Sequence, residues 1–473
     1  MGVRGMTLWK TWFGLIVRLR DAFSRERAFL WFVAAVVACT VRPDLVGVTS
    51  FVRACWLKES CYQAFRRLFH SSSVSLERLT RLWVATVFEA ADSPGVRVDG
   101  KRVLLCDGLK APKEGRKMPA VKSLHQESTN NSKPEYIMGH SWQVVSLLVR
   151  AGTSLFAVPL SARIHEGVVF TNRDRRTLID RMNELLGSLG TDEPVYLLAD
   201  AYYACRKIAR ALIRSGSHLV SRVRITAVAY EPAPAAPGKR GRGRPRLYGR
   251  KVRLRTLFDD PDAMTEIESP YSEDHGLRLR ARERDLIWKP VGRFVRFVAV
   301  EHPALGRRIL LSTDTTRSMP EIIQMYGWRF KIEVAFKQAI HVVGAWRYHF
   351  WMAIMKRTRR GGGDQYLHRA TDDYRAQVRR KIRAYELHVQ VGLIAQGLLQ
   401  CLSATAATEV WATFRGWLRT IRPGIPPSEL VVAQALRDAL PEFLVRNARR
   451  HFFAKFLADK LDPGRARGIL TAA

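Results

Sequence analysis

The sequence predicts an α/β chain with helical regions at both ends and a strand-rich block inserted in its middle. Three observations predict it. Apolar residues recur at helical spacing from residue 1 to about 90, and again after Asp372. Two apolar runs, Val103–Cys106 and Val195–Ala199, read as buried strands, and each ends on an aspartate, Asp107 and Asp200. The second leads at once into a helical segment, a strand–Asp–helix unit of α/β type. Residues 217–313 instead show short β-like runs separated by Pro/Gly stretches. Five regions follow: a helical, DNA-binding 1–92, a first core segment 93–216, a β-rich insertion 217–313, a second core segment 314–355, and a basic helical 356–473.

Charge narrows the partner. The 473 residues carry 78 Lys+Arg against 43 Asp+Glu, a net +35. That excess is beyond what solubility needs and points to a polyanion, nucleic acid first and an anionic membrane surface second. With 47% hydrophobic residues the chain can also bury a large core. The six cysteines show no Cys-x-x-Cys pair and no zinc-finger spacing, so reduced thiols in a cytosolic protein are expected. The apolar run Phe29–Val41, about 13 residues, is short of the roughly 20 that span a bilayer, so a buried helix and no membrane partner are expected there.

In chain order, helices are expected over Leu8–Leu19, Ala22–Cys39, Thr49–Trp56, Ser60–Phe69 and Ser75–Glu89. The third and fourth fit a helix-turn-helix whose second helix presents Arg66 and Arg67; they equally fit a plain bundle with a basic face. Val96–Val98 and Arg102–Cys106 flank Asp99-Gly100, the turn signal of a β-hairpin. A basic loop is expected over Lys110–Pro134, then strands Ser141–Arg150 and Thr153–Leu160, a helix Arg173–Leu189, the strand Val195–Ala199 and a helix Tyr202–Ser215. The insertion contains the linker Gly238–Arg246, too rich in Gly and Arg to fold alone. Ser318-Met319-Pro320 starts a helix that is expected to run through Met325–Ala339, and further helices are expected over Asp372–Ala404 and Glu409–Ile421.

On a continuous Met325–Ala339 helix, Tyr326, Arg329, Glu333 and Lys337 would fall within roughly 80° of one another. The same spacing fits a surface helix with ordinary ion pairs. Strand ends are where α/β sheets bind ligands, so Asp107 and Asp200 converge if their strands are neighbours, and Glu333 could supply a third carboxylate. Three carboxylates in one pocket raise each other's pKa, and two divalent cations would relieve this and create a phosphoryl-transfer site. Oxygen ligands alone suit Mg2+ or Mn2+. Singly, Asp107 also fits a turn residue before Gly108, and Asp200 fits the N-cap of the following helix.

These residues carry a resemblance. The chain resembles DDE transposases of bacterial insertion sequences, in the group of the fourth insertion-sequence family. That group has a first Asp ending a strand, here Asp107-Gly108, and an Asp-x-x-Tyr, here Asp200 to Tyr203. It has a β-rich insertion and a Tyr-x2-Arg-x3-Glu-x6-Lys signature, matched by Tyr326, Arg329 and Glu333. The last position holds Ile340, with Lys337 and His341 standing nearest to it. The resemblance covers residues 96 to about 350. It implies an RNase H-like core, an Asp107–Asp200–Glu333 set holding two Mg2+ or Mn2+ ions, cleavage at transposon ends and strand transfer into target DNA. It implies that Tyr326 and Arg329 hold the DNA backbone, that a homodimer acts on paired double-stranded ends, and a bacterial, nucleoid-associated location.

Arg242-Gly243-Arg244-Pro245 resembles the core of an AT-hook, and also fits a solvated linker that binds phosphates without preference. Trp288 reads as core or as a platform for an unpaired base. Beside the transposase stand three other readings: a metal-dependent nuclease that cuts without joining, a DNA-binding descendant with a dead site, and a membrane-associated basic protein.

Overall fold

The computed structural model describes residues 2–91, 95–126, 134–234, 246–271, 274, 276–418 and 423–467. Helices come first: α1 Gly2–Ile16, six residues earlier at its start than expected, α2 Glu26–Val41, four residues later at its start, and, near their expected bounds, α3 Thr49–Ala54, α4 Cys61–Phe69 and α5 Leu76–Ala90. Strands β1 Arg97–Val98 and β2 Lys101–Pro112 form the expected hairpin. Asp99 (φ 50°) and Gly100 (φ 71°) both take the left-handed conformation that a two-residue turn of this kind needs. There follow β3 Lys122–His125, β4 Tyr136–Ala151, β5 Ser154–Ile164, β6 Val168–Val169, α6 Leu178–Ser188, β7 Val195–Ala199, α7 Arg206–Arg214 and β8 His218–Val223. The next strands are β9 Val228–Pro232, β10 Tyr248–Arg253, β11 Thr265–Glu268, β12 Arg278–Trp288, β13 Arg293–His302 and β14 Gly306–Ser312. The chain ends with α8 Met319–Trp328, α9 Phe330–Gln338, β15 Gln365–Tyr366, α10 Asp372–Thr405, α11 Ala407–Thr413, α12 Glu429–Asn447 and α13 Phe452–Ala458.

Four expectations are corrected. Strand β2 does not stop at Asp107 but continues to Pro112, because the Lys113 amide that follows donates to the Met138 carbonyl at 2.9 Å and the neighbouring backbone extends the strand. The expected loop 110–134 is therefore partly strand. Helix α7 starts at Arg206 with Cys205 at its N-cap, four residues later than expected. The Met325–Ala339 helix is divided at Arg329, where the hydrogen bonds tighten: the Arg329 amide donates to the Tyr326 carbonyl and the Ile332 amide to the Arg329 carbonyl, each at 3.2 Å. Helix α11 stops at Thr413, since Phe414 turns extended (φ −63°, ψ 124°) two residues before Gly416.

By its contacts the chain divides into two units, one of Met1–Val96, Gly108–Thr191 and Glu333–Ala473, the other of Arg97–Asp107 and Asp192–Ile332. In the first, helices from both ends of the sequence share a core. The Trp9 indole donates to the Leu436 carbonyl at 3.2 Å, and Phe13 stacks on Phe443 at 5.3 Å. Helix α2 is buried through Phe32–Val41, which makes the apolar run a core helix. Helix α10 is long and apolar enough to cross a bilayer, but 89% of its apolar window is buried inside the protein. It lies on β5, where Gln390 donates to the Leu160 carbonyl at 3.0 Å. Strand β4 pairs antiparallel with both β3 and β5. The buried Arg42 is satisfied by the carbonyls of Val343, Gly344 and Gly47 and by the Ser50 hydroxyl. That is what a desolvated guanidinium requires.

The second unit is built on a mixed sheet in the order β10-β9-β12-β13-β14-β8-β7-β2, with β11 on β12 and β1 on β2. Strands β2, β7 and β8 run parallel, and β14 returns antiparallel to β8. Strand β7 and the Val103–Cys106 part of β2 read as continuous apolar runs because both faces are covered, whereas β8 carries the exposed Arg222. Helix α8 packs over β8 and β14 and is started by a capping box, Ser318 with Glu321.

Candidate active site

Two parallel strands place two carboxylates side by side. The register of β2 on β7 pairs Leu104 with Leu197 and Leu105 with Leu198. Asp107 and Asp200 each lie two residues beyond that last pair, at the same level of adjacent strands. The strand neighbourhood left open by the sequence is thus present. Neither bland reading fits: Asp107-Gly108 lies inside β2 rather than in a turn, and Asp200 does not cap α7. The Asp200 carboxylate instead accepts from the Tyr202 amide at 3.0 Å, a short turn that aims the side chain. The Ser221 hydroxyl, from β8, donates to the Asp200 carbonyl at 2.8 Å and fixes the strand end.

Arg329 meets Asp107. Its Nη1 donates to Oδ2 at 3.1 Å, with both side chains about four-fifths covered. Arg329 also lies over the Tyr326 ring, 5.9 Å from its centroid, and Tyr326 is itself nearly buried. Reading Arg329 as a pure DNA contact missed this pairing, because nothing in local spacing announces a partner 222 residues away.

Electrostatics mark the same corner. Burial pushes the Asp200 carboxyl pKa up, against the Tyr202 amide and the Arg329 charge, which pull it down. Burial, then the charges of Asp107 and Asp200, push the Cys106 thiol well up. The Tyr203 phenol, 3% exposed, is raised by burial and then by Cys106, Asp107 and Asp200. Cys106 and Tyr203 are therefore neutral walls that enforce a low-dielectric setting around two anions. Tyr203 was visible beforehand only as the last position of the Asp-x-x-Tyr; Cys106 and Ser221 gave no sign.

Two carboxylates at one level of adjacent strands, one of them raised in pKa by burial, are a fitting donor set for a hard divalent cation. Among the described residues no group of three or more His, Cys, Asp or Glu side chains is drawn together as a metal site. Glu333 and Lys337 are exposed residues of α9 and fall in the first unit, whereas Asp107, Asp200, Tyr326 and Arg329 fall in the second. Arg66 and Arg67 are exposed on α4, with Arg66 over the Tyr62 ring at 5.9 Å. Arg242 and Arg244 lie outside the described residues. Trp288 is 5% exposed on β12, a core residue.

The sequence profile of one protein family, described as DDE superfamily endonuclease, matches residues 18–289, which is more than half of the chain. The match takes in Asp107 and Asp200 and ends before Tyr326, Arg329 and Glu333. No curated protein matches the sequence. Among solved structures, the chain is similar to a piggyBac transposase in a cryo-EM synaptic complex with hairpin DNA, at 11% identity and a TM-score of 0.38. That alignment covers 92% of this chain and 75% of the other, and at this score it carries no argument.

Proposed function

This chain belongs to the DDE superfamily endonucleases, and from that membership we propose that it is a transposase that cuts double-stranded DNA at the ends of its element and joins them to a target. The observation that carries the proposal is the Asp107–Asp200 pair on adjacent parallel strands. The parallel order β8-β7-β2, with Asp107 in β2 just past its pairing with β7 and Asp200 directly after β7, supports an RNase H-like core. The Tyr326–Arg329–Glu333 spacing supports a place near the fourth insertion-sequence family and, with it, a bacterial cytoplasm and a homodimer on paired ends.

In this reading Asp107 and Asp200, with Glu333 from α9, would hold Mg2+ or Mn2+, which when bound would supply activation of water and charge stabilisation. The chain's own residues do the rest. The Tyr202 amide and the Ser221 hydroxyl hold Asp200 in one orientation. Arg329 pairs with Asp107 and holds its carboxylate in place. By the resemblance, Tyr326 and Arg329 hold the DNA backbone near the cut, as a planar guanidinium suits. Lys337, Arg66, Arg67, Arg242 and Arg244 contact the DNA backbone.

The test is cleavage of DNA carrying the ends that flank this gene, with magnesium, for wild type and for Asp107→Asn, Asp200→Asn and Glu333→Gln. Each substitution is expected to slow cutting by at least about 1,000-fold, roughly 4 kcal/mol in the barrier, while duplex binding persists. Cutting that survives any one of them removes that residue from the set. The family's description as endonucleases favours one alternative, a nuclease without joining. Full end cleavage with no strand-transfer product would establish it.

A further inference from the structure

Trp351 and Ile354 are large apolar side chains that stand out in solvent, 65% and 58% exposed. The residue after each does the opposite. Met352 and Met355 are each 5% exposed and pack with Ala120 and Val378 in a small core cluster. The segment is held on both sides. The Met352 amide donates to the Lys117 carbonyl at 2.9 Å, Lys117 Nζ donates to the Ala353 carbonyl at 2.8 Å, and the Thr358 amide donates to the Arg116 carbonyl at 2.7 Å. Burying every third residue leaves the tip no choice but to present Trp351 and Ile354 outward. An apolar tip kept rigid in water costs free energy unless something covers it.

What surrounds the tip says what covers it. Trp351, Ile354 and neighbouring residues line a cavity of about 350 Å³ whose other walls carry His70, Arg380 and Lys381 and, among the described residues, no carboxylate. His70 Nδ1 donates to the Arg66 carbonyl and its Nε2 accepts from Lys381 Nζ, both at 2.9 Å, so the ring is neutral and the lysine is aimed. Burial and the nearby Arg66 charge lower the Lys381 pKa, the mark of a cation short of anions. Beyond the tip, Lys356, Arg357, Arg359 and Arg360 are exposed.

An aromatic plane beside clustered cations is the composition that takes a base and its phosphates. A cavity of this size admits a flat ring, whereas a duplex keeps its bases stacked inside. We propose that the Trp351–Ile354 tip and the adjoining cavity bind an unpaired stretch of nucleic acid, with a base stacked on Trp351 and flanking phosphates on Arg380 and Lys381. The proposal rests on the reading that this chain acts on DNA. It adds a second, single-strand site outside the carboxylate pair.

The experiment uses the full chain, with a short single strand carrying one fluorescent base analogue, a duplex of equal length, and anionic phospholipid vesicles. Wild type is expected to quench the analogue. Trp351→Ala is expected to abolish the quenching and weaken single-strand binding about ten-fold or more, leaving duplex affinity within about two-fold. Trp351→Phe is expected to restore both signals in part, and Arg380→Gln with Lys381→Gln to weaken binding and flatten its loss with salt. Because Trp351 is exposed, unchanged thermal unfolding of the variant is expected as well. Equal losses on both nucleic acids, or no loss, would overturn the proposal, and so would loss on vesicles alone, which would make the tip a membrane contact. Duplex cleavage by wild type alongside an unaffected Trp351→Ala would sink this inference and leave the endonuclease standing. Wild type that neither binds nor cuts DNA would sink both.

Discussion

Lys113 carries its amine into the interior of the first unit. It is 5% exposed, donates to the carbonyls of Trp346 and Tyr348, and lies over the Tyr348 ring at 3.9 Å. Burial, with Arg347 nearby, pushes its pKa from 10.5 down to about 7. A lysine with a depressed folded-state value is neutral in both states above about pH 10.5, where it costs nothing. As the pH falls from there to 7, the unfolded chain takes a proton that the folded chain refuses. Stability is then lost at about 1.4 kcal/mol per unit, and below 7 the loss is complete. Lys113→Met removes this slope while leaving two carbonyls unpaired, a cost that does not vary with pH. The stability of wild type relative to Lys113→Met, measured by denaturant unfolding from pH 10 to 7, is expected to fall steadily. A flat difference would mean that the amine is charged throughout.

Helices α1 and α10 respond oppositely to the same change. Gly14 on α1 has nothing within 4 Å of an added Cβ. Gly14→Ala is expected to stabilise by about 0.5–1 kcal/mol, the ordinary helix-propensity gain. Gly397 on α10 faces Trp83, whose ring atoms would lie 2.3 and 2.9 Å from that Cβ. Trp83 cannot retreat freely, since its indole donates to the Pro159 carbonyl at 2.9 Å. Gly397→Ala is therefore expected to destabilise by about 1–3 kcal/mol despite the propensity gain. Melting temperatures moving in opposite directions check both. Elements of this kind, helices with one apolar face, are the ones whose sequence spacing told most: α1 to α5 and α10 lie within a few residues of where periodicity puts them. Local spacing misled where tertiary contacts decide. Asp107-Gly108 has the composition of a turn, yet β2 runs through it because a neighbouring strand accepts the continuation. Arg329 has helical dihedrals (φ −51°, ψ −34°), and only the shortened hydrogen bonds divide α8 from α9. Asp200 was legible as a strand-end acid and Asp107 as an acid closing an apolar run, though β2 continues past it; their shared level depends on the β2–β7 register, which no single strand encodes.

The whole chain carries +35. If that excess engages the DNA backbone, neutralising six to ten phosphates releases as many counterions, and affinity for duplex DNA is expected to fall by about 1,000-fold or more between 50 and 200 mM salt. Fluorescence anisotropy across that range checks it, and a nearly flat response would mean that the charge serves another purpose. The division into two units could not be read along the sequence. The first unit takes three separated stretches and the second takes two, because the strands and helices that meet are far apart in the chain.

That discontinuity sets a schedule for synthesis. Trp9 and Leu436, joined by a hydrogen bond, are 427 residues apart. At elongation speeds of about 5–20 residues per second, α1 emerges on the order of 20 to 90 seconds before the helix it packs on. Throughout that wait Leu8, Trp9, Trp12 and Phe13, all buried in the finished protein, have no native cover from α12. A nascent chain in this state is a natural client for chaperones that shield apolar helices. Transcripts that end before α12 would yield chains that never leave it.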